Sequence, residues 1–271
     1  MGTNQKAPKS SNGQPTPTSR LILGDTEYRY CPLWESSGND IFCYLCEPFW
    51  NVGSGEPLTE DTLQTEFDDP KRILAVDLAT LRTATEQIEE VVAQYGLMTV
   101  LIPVHYQTLE NPESADAYTD LCDKRVWPVI DSVYFEINGP PVPLSKDGLV
   151  QAANHINPFG RGVLLRVEPG FDGFDEIPAD DILSVGMALR ADQRDEGEMI
   201  SDLKTFASET SSRGLHSHAH GLKTVALCLA AVSAGFDYVG SDAIAPPLEK
   251  WAHDEERLKA IDLFKTLLPT A

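Results

Sequence analysis

The sequence predicts an α/β chain folded as a (β/α)8 barrel whose first strand runs antiparallel to the rest. Three observations lead there. Eight short β-rich runs can be marked off along the chain. After the first two, which read as a hairpin, strand runs alternate with helical patterns. Most of the later strand runs are continuously apolar, as parallel strands covered on both faces are.

The elements follow in order. Residues 1–22 are rich in Ser, Pro, Asn and Gln and hold few apolar side chains. They read as a disordered tail that cannot offset the entropy of ordering. Residues 23–271 read as one barrel domain. EYRYCPLW and IFCYLCEPFW, separated by ESSGND, form the hairpin. Leu78, Leu81, Ile88, Val91, Val92 and Tyr95 make one helical face, with Asp77 expected as N-cap and Gly96 at the end. Strands are expected over 98–104, 132–137, 162–167, 181–186, 215–220 and 236–240. Helices are expected over 112–125, 144–156, 197–213, 222–234 and 252–267. The link 168–180, EPGFDGFDEIPAD, is too short and Gly-rich for a full crossover helix.

The balance of 42 acidic against 21 basic residues gives a net charge of -21. Such a chain repels phosphate backbones, which argues against nucleic acid and anionic membranes as partners. No run of about 18 apolar residues suggests membrane insertion. Five thinly spread cysteines predict free thiols in a reducing cytoplasm. The Cys43–Cys46 pair spells CxxC, but it lies inside an apolar run with no second pair, and reads as small core residues. Glu86, Glu89 and Glu90 read as a solvated helix face, and Asp172, Asp175, Glu176, Asp180 and Asp181 as a solvated loop.

Five segments carry a resemblance. YRYCPLWESSGNDIFCYLCEPFW has the length and rhythm of an opening hairpin that ends in Tyr-Glu-Ala-Leu-x-Arg-Trp. VYFEIN resembles a Leu-Glu-Ile-Thr-Glu strand, and ADDILSVG an Asp-x-Leu-Lys-Ile-Asp strand. GLHSHAHGLKT aligns without a gap to Gly-Leu-Lys-Val-Val-Ala-Glu-Gly-Val-Glu-Thr. AGFDYVGSDAIAPP resembles a closing Gly-x-Asp-x-x-Gln-Gly-Tyr-x-x-x-x-Pro. Over residues 26–247 the chain thus resembles the EAL family, the cyclic di-GMP phosphodiesterases, and the EAL type of barrel is the expectation. The missing helix after the fifth strand is typical of that family.

The resemblance implies a site that the residues depart from. In the family, carboxylates and an Asn at the C-terminal mouth hold two Mg²⁺ or Mn²⁺ ions that activate water. Here Leu45 stands for the motif Glu and Phe49 for the phosphate-binding Arg. His105 replaces the metal-ligand Asn, Glu136 is kept, and Gly139 replaces the following acid. Val167 and Glu168 stand for the paired aspartates. Ser184 replaces the catalytic Lys and Gly186 the Asp two residues on. His220 replaces the Glu of the seventh strand, Lys223 its neighbouring acid, and Gly240 the closing Gln. Hard divalent cations need several oxygen ligands. The expectation is a degenerate, non-catalytic member.

His216, His218 and His220 stand at every second position, so on a strand they share one face, expected to be the barrel interior. His216 and His220 would be about 13 Å apart, too far to share one ion. His216 and His218 read as neutral, hydrogen-bonded interior groups. His105, Glu136 and His220 are each expected at the mouth, where two imidazoles and a carboxylate could form a facial triad for a metal.

Three functions compete. The leading expectation is a protein-interaction or regulatory scaffold in cyclic di-GMP-related signalling, with a protein partner or a second copy of itself and no cofactor. The second is a receptor that binds cyclic di-GMP without cleaving it, against which stand the charge and the loss of the motif Arg. Arg161 and Arg166 are the nearby cations for such a ligand. The third is a metal-dependent hydrolase using His105, Glu136 and His220.

Overall fold

A computed structural model describes residues 26–38, 40–51, 58–59, 69–96, 98–190, 192 and 194–249. The expected tail 1–22 and the expected helix 252–267 lie outside the described residues. The hairpin forms as read: β1 (Glu27–Glu35) and β2 (Ile41–Trp50) pair antiparallel. A two-residue strand, β3 (Leu58–Thr59), adds to the end of β2. The parallel strands are β4 (Val100–His105), β5 (Val133–Asn138), β6 (Val163–Arg166), β7 (Ser184–Ala188), β8 (His216–Leu222) and β9 (Tyr238–Ser241). Neighbours run β1-β9-β8-β7-β6-β5-β4-β2, and the β1–β2 pairing closes the ring. β1 is antiparallel to both β2 and β9, so the barrel is of the EAL type, with the first strand reversed.

The helices begin where the sequence supplies caps. α1 (Pro70–Tyr95) starts with Pro70 behind Asp69, whose carboxylate accepts from Lys71 N at 3.1 Å, and it stops at Gly96. α2 (Tyr106–Glu110) is one short turn directly after β4. α3 (Pro112–Arg125) is capped by Asn111, α4 (Lys146–Ile156) by Ser145, α5 (Glu196–Ser212) by Asp195 and α6 (Val225–Ala234) by Thr224. Between β6 and β7 the chain makes only a 3₁₀ turn, Phe174–Glu176.

Two apolar layers result. A small one inside the barrel contains Cys31, Leu33, Cys43, Leu45, Leu101, Tyr134 and Leu164. A larger one lies between strands and helices, with Leu81, Ile88, Ile102, Phe135 and Leu203 among its fully buried members. All five cysteines are buried free thiols. Among the described residues no helix is long and apolar enough to cross a membrane.

Two local expectations are corrected. Asp77 is not an N-cap: α1 begins seven residues earlier, at Pro70, and Asp77 lies buried in its middle. β7 begins at Ser184 rather than at 181, because Ser184 is the residue that pairs with both Leu164 and His216.

Candidate functional site

The interior residues of β5, β6, β7 and β8 meet around Glu136. On β5, Tyr134 faces the inner layer, and period two carries Glu136 to the same face. Glu136 is fully buried. On β8, the Nε2 of His218 donates to Glu136 Oε1 at 3.1 Å. That leaves His218 Nδ1 to accept from the Ser184 hydroxyl at 2.9 Å. His220 Nε2 lies 3.5 Å from the same carboxylate oxygen. Arg166 Nε, at the end of β6, stands 3.8 Å from Glu136 Oε2. Burial alone would push the Glu136 pKa up, but the nearby His220 and Arg166, with a hydrogen bond from His218, hold it well below the usual carboxylate range. Burial also pushes the His218 pKa down, against the opposing pull of Glu136, so the imidazole is held toward its neutral form.

A second buried acid stands on β2. Glu47, on the same face of β2 as Leu45, is buried. Its Oε2 takes the Nε of Arg29 from β1 and the Nη1 of Arg190 from the segment after β7. Arg190 also grips Asp242, after β9, through Nε at 2.9 Å and Nη2 at 2.7 Å. The Cys31 thiol touches both Glu47 and Arg190. Burial, then Glu47, pushes that thiol up to about 12, so it stays protonated.

Sequence reasoning missed Glu47, Arg29, Arg190 and Asp242. The signal for Glu47 was present: an acid two residues past Leu45 in a strand shares its face. Arg190 carries no local signal, since its partners lie 143 and 52 residues away.

The triad is not assembled. Glu136 and His220 meet, but His105 is turned outward: its Nδ1 bonds Asp77 of α1 at 2.8 Å, and its backbone N–H bonds the same carboxylate at 3.2 Å. β4 ends at His105, so its ring swings off the strand face onto the helix that covers it. Thr108 completes the set on Asp77. Among the described residues no group of three His, Cys, Asp or Glu side chains is placed to hold a metal ion.

The other positions scatter by role. Leu45 packs in the inner layer. Phe49 lies under the Arg29 guanidinium, 5.3 Å from ring centre to Cζ. Gly139 turns the chain out of β5 with φ 61°. Val167 is buried, while Glu168 and Lys223 are exposed. Gly240 packs against His220, where an added Cβ would lie 3.3 Å from that residue's own. His216 is not an interior group: it stands at the N-terminal end of β8, its side chain 57% exposed, against Asp237. Arg161 is also at that end, just before β6, beside Tyr134. Arg166 and Arg194, not Arg161, are the arginines of one cavity at the opposite, C-terminal end of the strands. With Val167, Glu168, Pro169, Ala188 and Asp192 they line this cavity of about 410 Å³.

Ser184, His218 and Glu136 have the connectivity of a hydroxyl–imidazole–carboxylate relay. All three are fully buried, so no substrate atom reaches the hydroxyl. Their chemistry is positional, fixing one imidazole tautomer in the barrel centre.

No family model and no curated protein matches the sequence. Solved structures match the fold. An EAL-domain protein from Listeria monocytogenes is similar over 83% of this chain and 89% of its own, at 12% identity and a TM-score of 0.58. The Bacillus subtilis YkuI protein, with an EAL domain and in complex with substrate c-di-GMP and calcium, is similar over 93% of this chain and 65% of its own, at 13% identity and a TM-score of 0.66. The Xanthomonas citri FimX EAL domain in complex with c-diGMP is similar over 85% of this chain and 92% of its own, at 15% identity and a TM-score of 0.58. Identities this low speak to the fold alone.

Proposed function

We propose that the chain is a non-catalytic EAL-like domain that serves as a protein-interaction or regulatory scaffold in cyclic di-GMP-related signalling. The observation that supports this is the state of the two buried acids inside the barrel. Glu136 is taken up by His218, His220 and Arg166, and Glu47 by Arg29 and Arg190. Metal-assisted phosphodiester hydrolysis needs oxygen ligands that are free to bind cations. These residues do not fit such a metal pair.

The test is incubation of purified chain with cyclic di-GMP and Mg²⁺ or Mn²⁺, followed by chromatography for the linear dinucleotide. No product is expected. Metal-dependent product would end the reading. A pull-down from native cytosol, with and without cyclic di-GMP, then addresses the scaffold role, which predicts a stable protein partner.

The cavity between Arg166 and Arg194 favours one alternative, a receptor that binds the dinucleotide without cleaving it. Both arginines already hold protein carboxylates, Arg166 beside Glu136 and Arg194 on Asp192 and Asp202. Calorimetry with cyclic di-GMP separates the two: heat of binding supports the receptor.

A further inference from the structure

Resting on the non-catalytic reading of the mouth, we propose that Arg190 is a built-in cation. Its guanidinium, with that of Arg29, neutralises Glu47 and Asp242, so these acids are held by protein cations and are not available to a divalent ion.

The charges balance. Glu47 and Asp242 bring two negative charges, and Arg29 and Arg190 bring two positive ones. The Cys31 thiol between them stays neutral. A divalent ion would enter a site with no net charge to attract it. It would also have to displace a bidentate guanidinium–carboxylate pair, the strongest ion-pair geometry available to protein side chains.

The place for Arg190 is made by its neighbours. Leu189 N–H bonds the carbonyl of His220, continuing the β7–β8 ladder by one step. Gly221 follows with φ 69°, and a Cβ there would lie 2.8 Å from Arg190 Cβ and 2.9 Å from its backbone N. The missing side chain lets the Arg190 backbone lie on β8 and aim its side chain across the mouth. One side chain then ties the ends of β7, β9 and β2 together. Burial works against a charged Arg190, but the Glu47 and Asp242 carboxylates outweigh it and hold the guanidinium above its ordinary pKa.

Thermal unfolding of the full chain, with and without millimolar Ca²⁺ or Mn²⁺, tests this. Wild-type protein should show no metal-dependent rise in Tm. Arg190→Gln should lower Tm by about 6 °C or more, because it leaves Glu47 and Asp242 with Arg29 as the one remaining cation of the cluster. The Glu47→Gln, Arg190→Gln double variant should regain at least half of that loss, because Asp242 and Arg29 then balance again. A wild-type rise with metal that vanishes in Glu47→Gln would overturn the proposal. So would an Arg190→Gln loss that Glu47→Gln fails to relieve, since it would mark packing rather than charge. A wild-type protein that ignores metal here yet cleaves cyclic di-GMP would sink the scaffold reading and leave the role of Arg190 standing.

Discussion

Gly186 and His218 stand opposite one another on β7 and β8, and the imidazole fills the space that a side chain at 186 would take. A Cβ on Gly186 would lie 2.2 Å from His218 Cδ2 and 2.3 Å from Nε2. The two residues are therefore one feature. Where the EAL pattern places an acid on β7, the glycine admits a ring from β8, and the ring reaches across to Glu136.

The first prediction follows. Gly186→Ala should destabilise the chain by about 1–3 kcal/mol, the usual cost of overpacking a filled interior. The denaturation midpoint in urea should fall with the slope unchanged. In a His218→Ala background the same substitution should cost far less, because the clashing ring is absent. Equal costs in both backgrounds would show that the ring and the glycine are not coupled.

Asp77 carries the second prediction. It is buried on α1 and accepts from His105 N, His105 Nδ1 and Thr108 Oγ1, so it fastens the helix to the end of β4. Asp77→Ala should cost about 3 kcal/mol, since it leaves a buried N–H without its acceptor and opens space. His105→Ala should cost less, because the backbone N–H and Thr108 keep the carboxylate. Chemical denaturation of both variants checks the order, and a His105→Ala loss larger than that of Asp77→Ala would refute it.

These two sites mark how far the sequence could be read. The strands were legible because burial on both faces leaves continuous apolar runs such as VLIPV and VLL, and the hairpin because ESSGND interrupts two β-rich runs. Asp77 misled because an Asp ahead of Leu78 and Leu81 imitates a cap, whereas the true cap, Asp69, precedes a first turn with no apolar stripe. The three alternate histidines were legible as one face of a strand. Only the register of β8 on β7 shows that the face runs from an exposed rim at His216 to a buried centre at His218 and His220. His105 could not be placed from its own segment, because its partner is 28 residues away on a helix.

The last prediction concerns pH. The folded chain holds the Glu136 carboxyl well below its ordinary range and pushes the His218 imidazole down as well. In each case the folded state binds fewer protons than the unfolded state, so stability rises with pH across the interval between the two values. The contribution of Glu136 is therefore present above its unfolded pKa, about 4.3, and is lost as pH falls through the folded value. The contribution of His218 is present above about 6.5 and is lost as pH falls toward its depressed folded value. The two windows are stacked, with the imidazole first. Tm should begin to fall as pH drops below about 6.5, before most carboxylates titrate, and fall again below about 4.3. His218→Gln, which keeps a hydrogen-bonding group beside Ser184, should flatten the upper step and leave the lower one. A wild-type Tm that rises from pH 7 to 5 would mean that His218 is protonated in the folded barrel. Its Nδ1 would then donate to Ser184, and Glu136 would lie between two cations rather than beside one neutral ring.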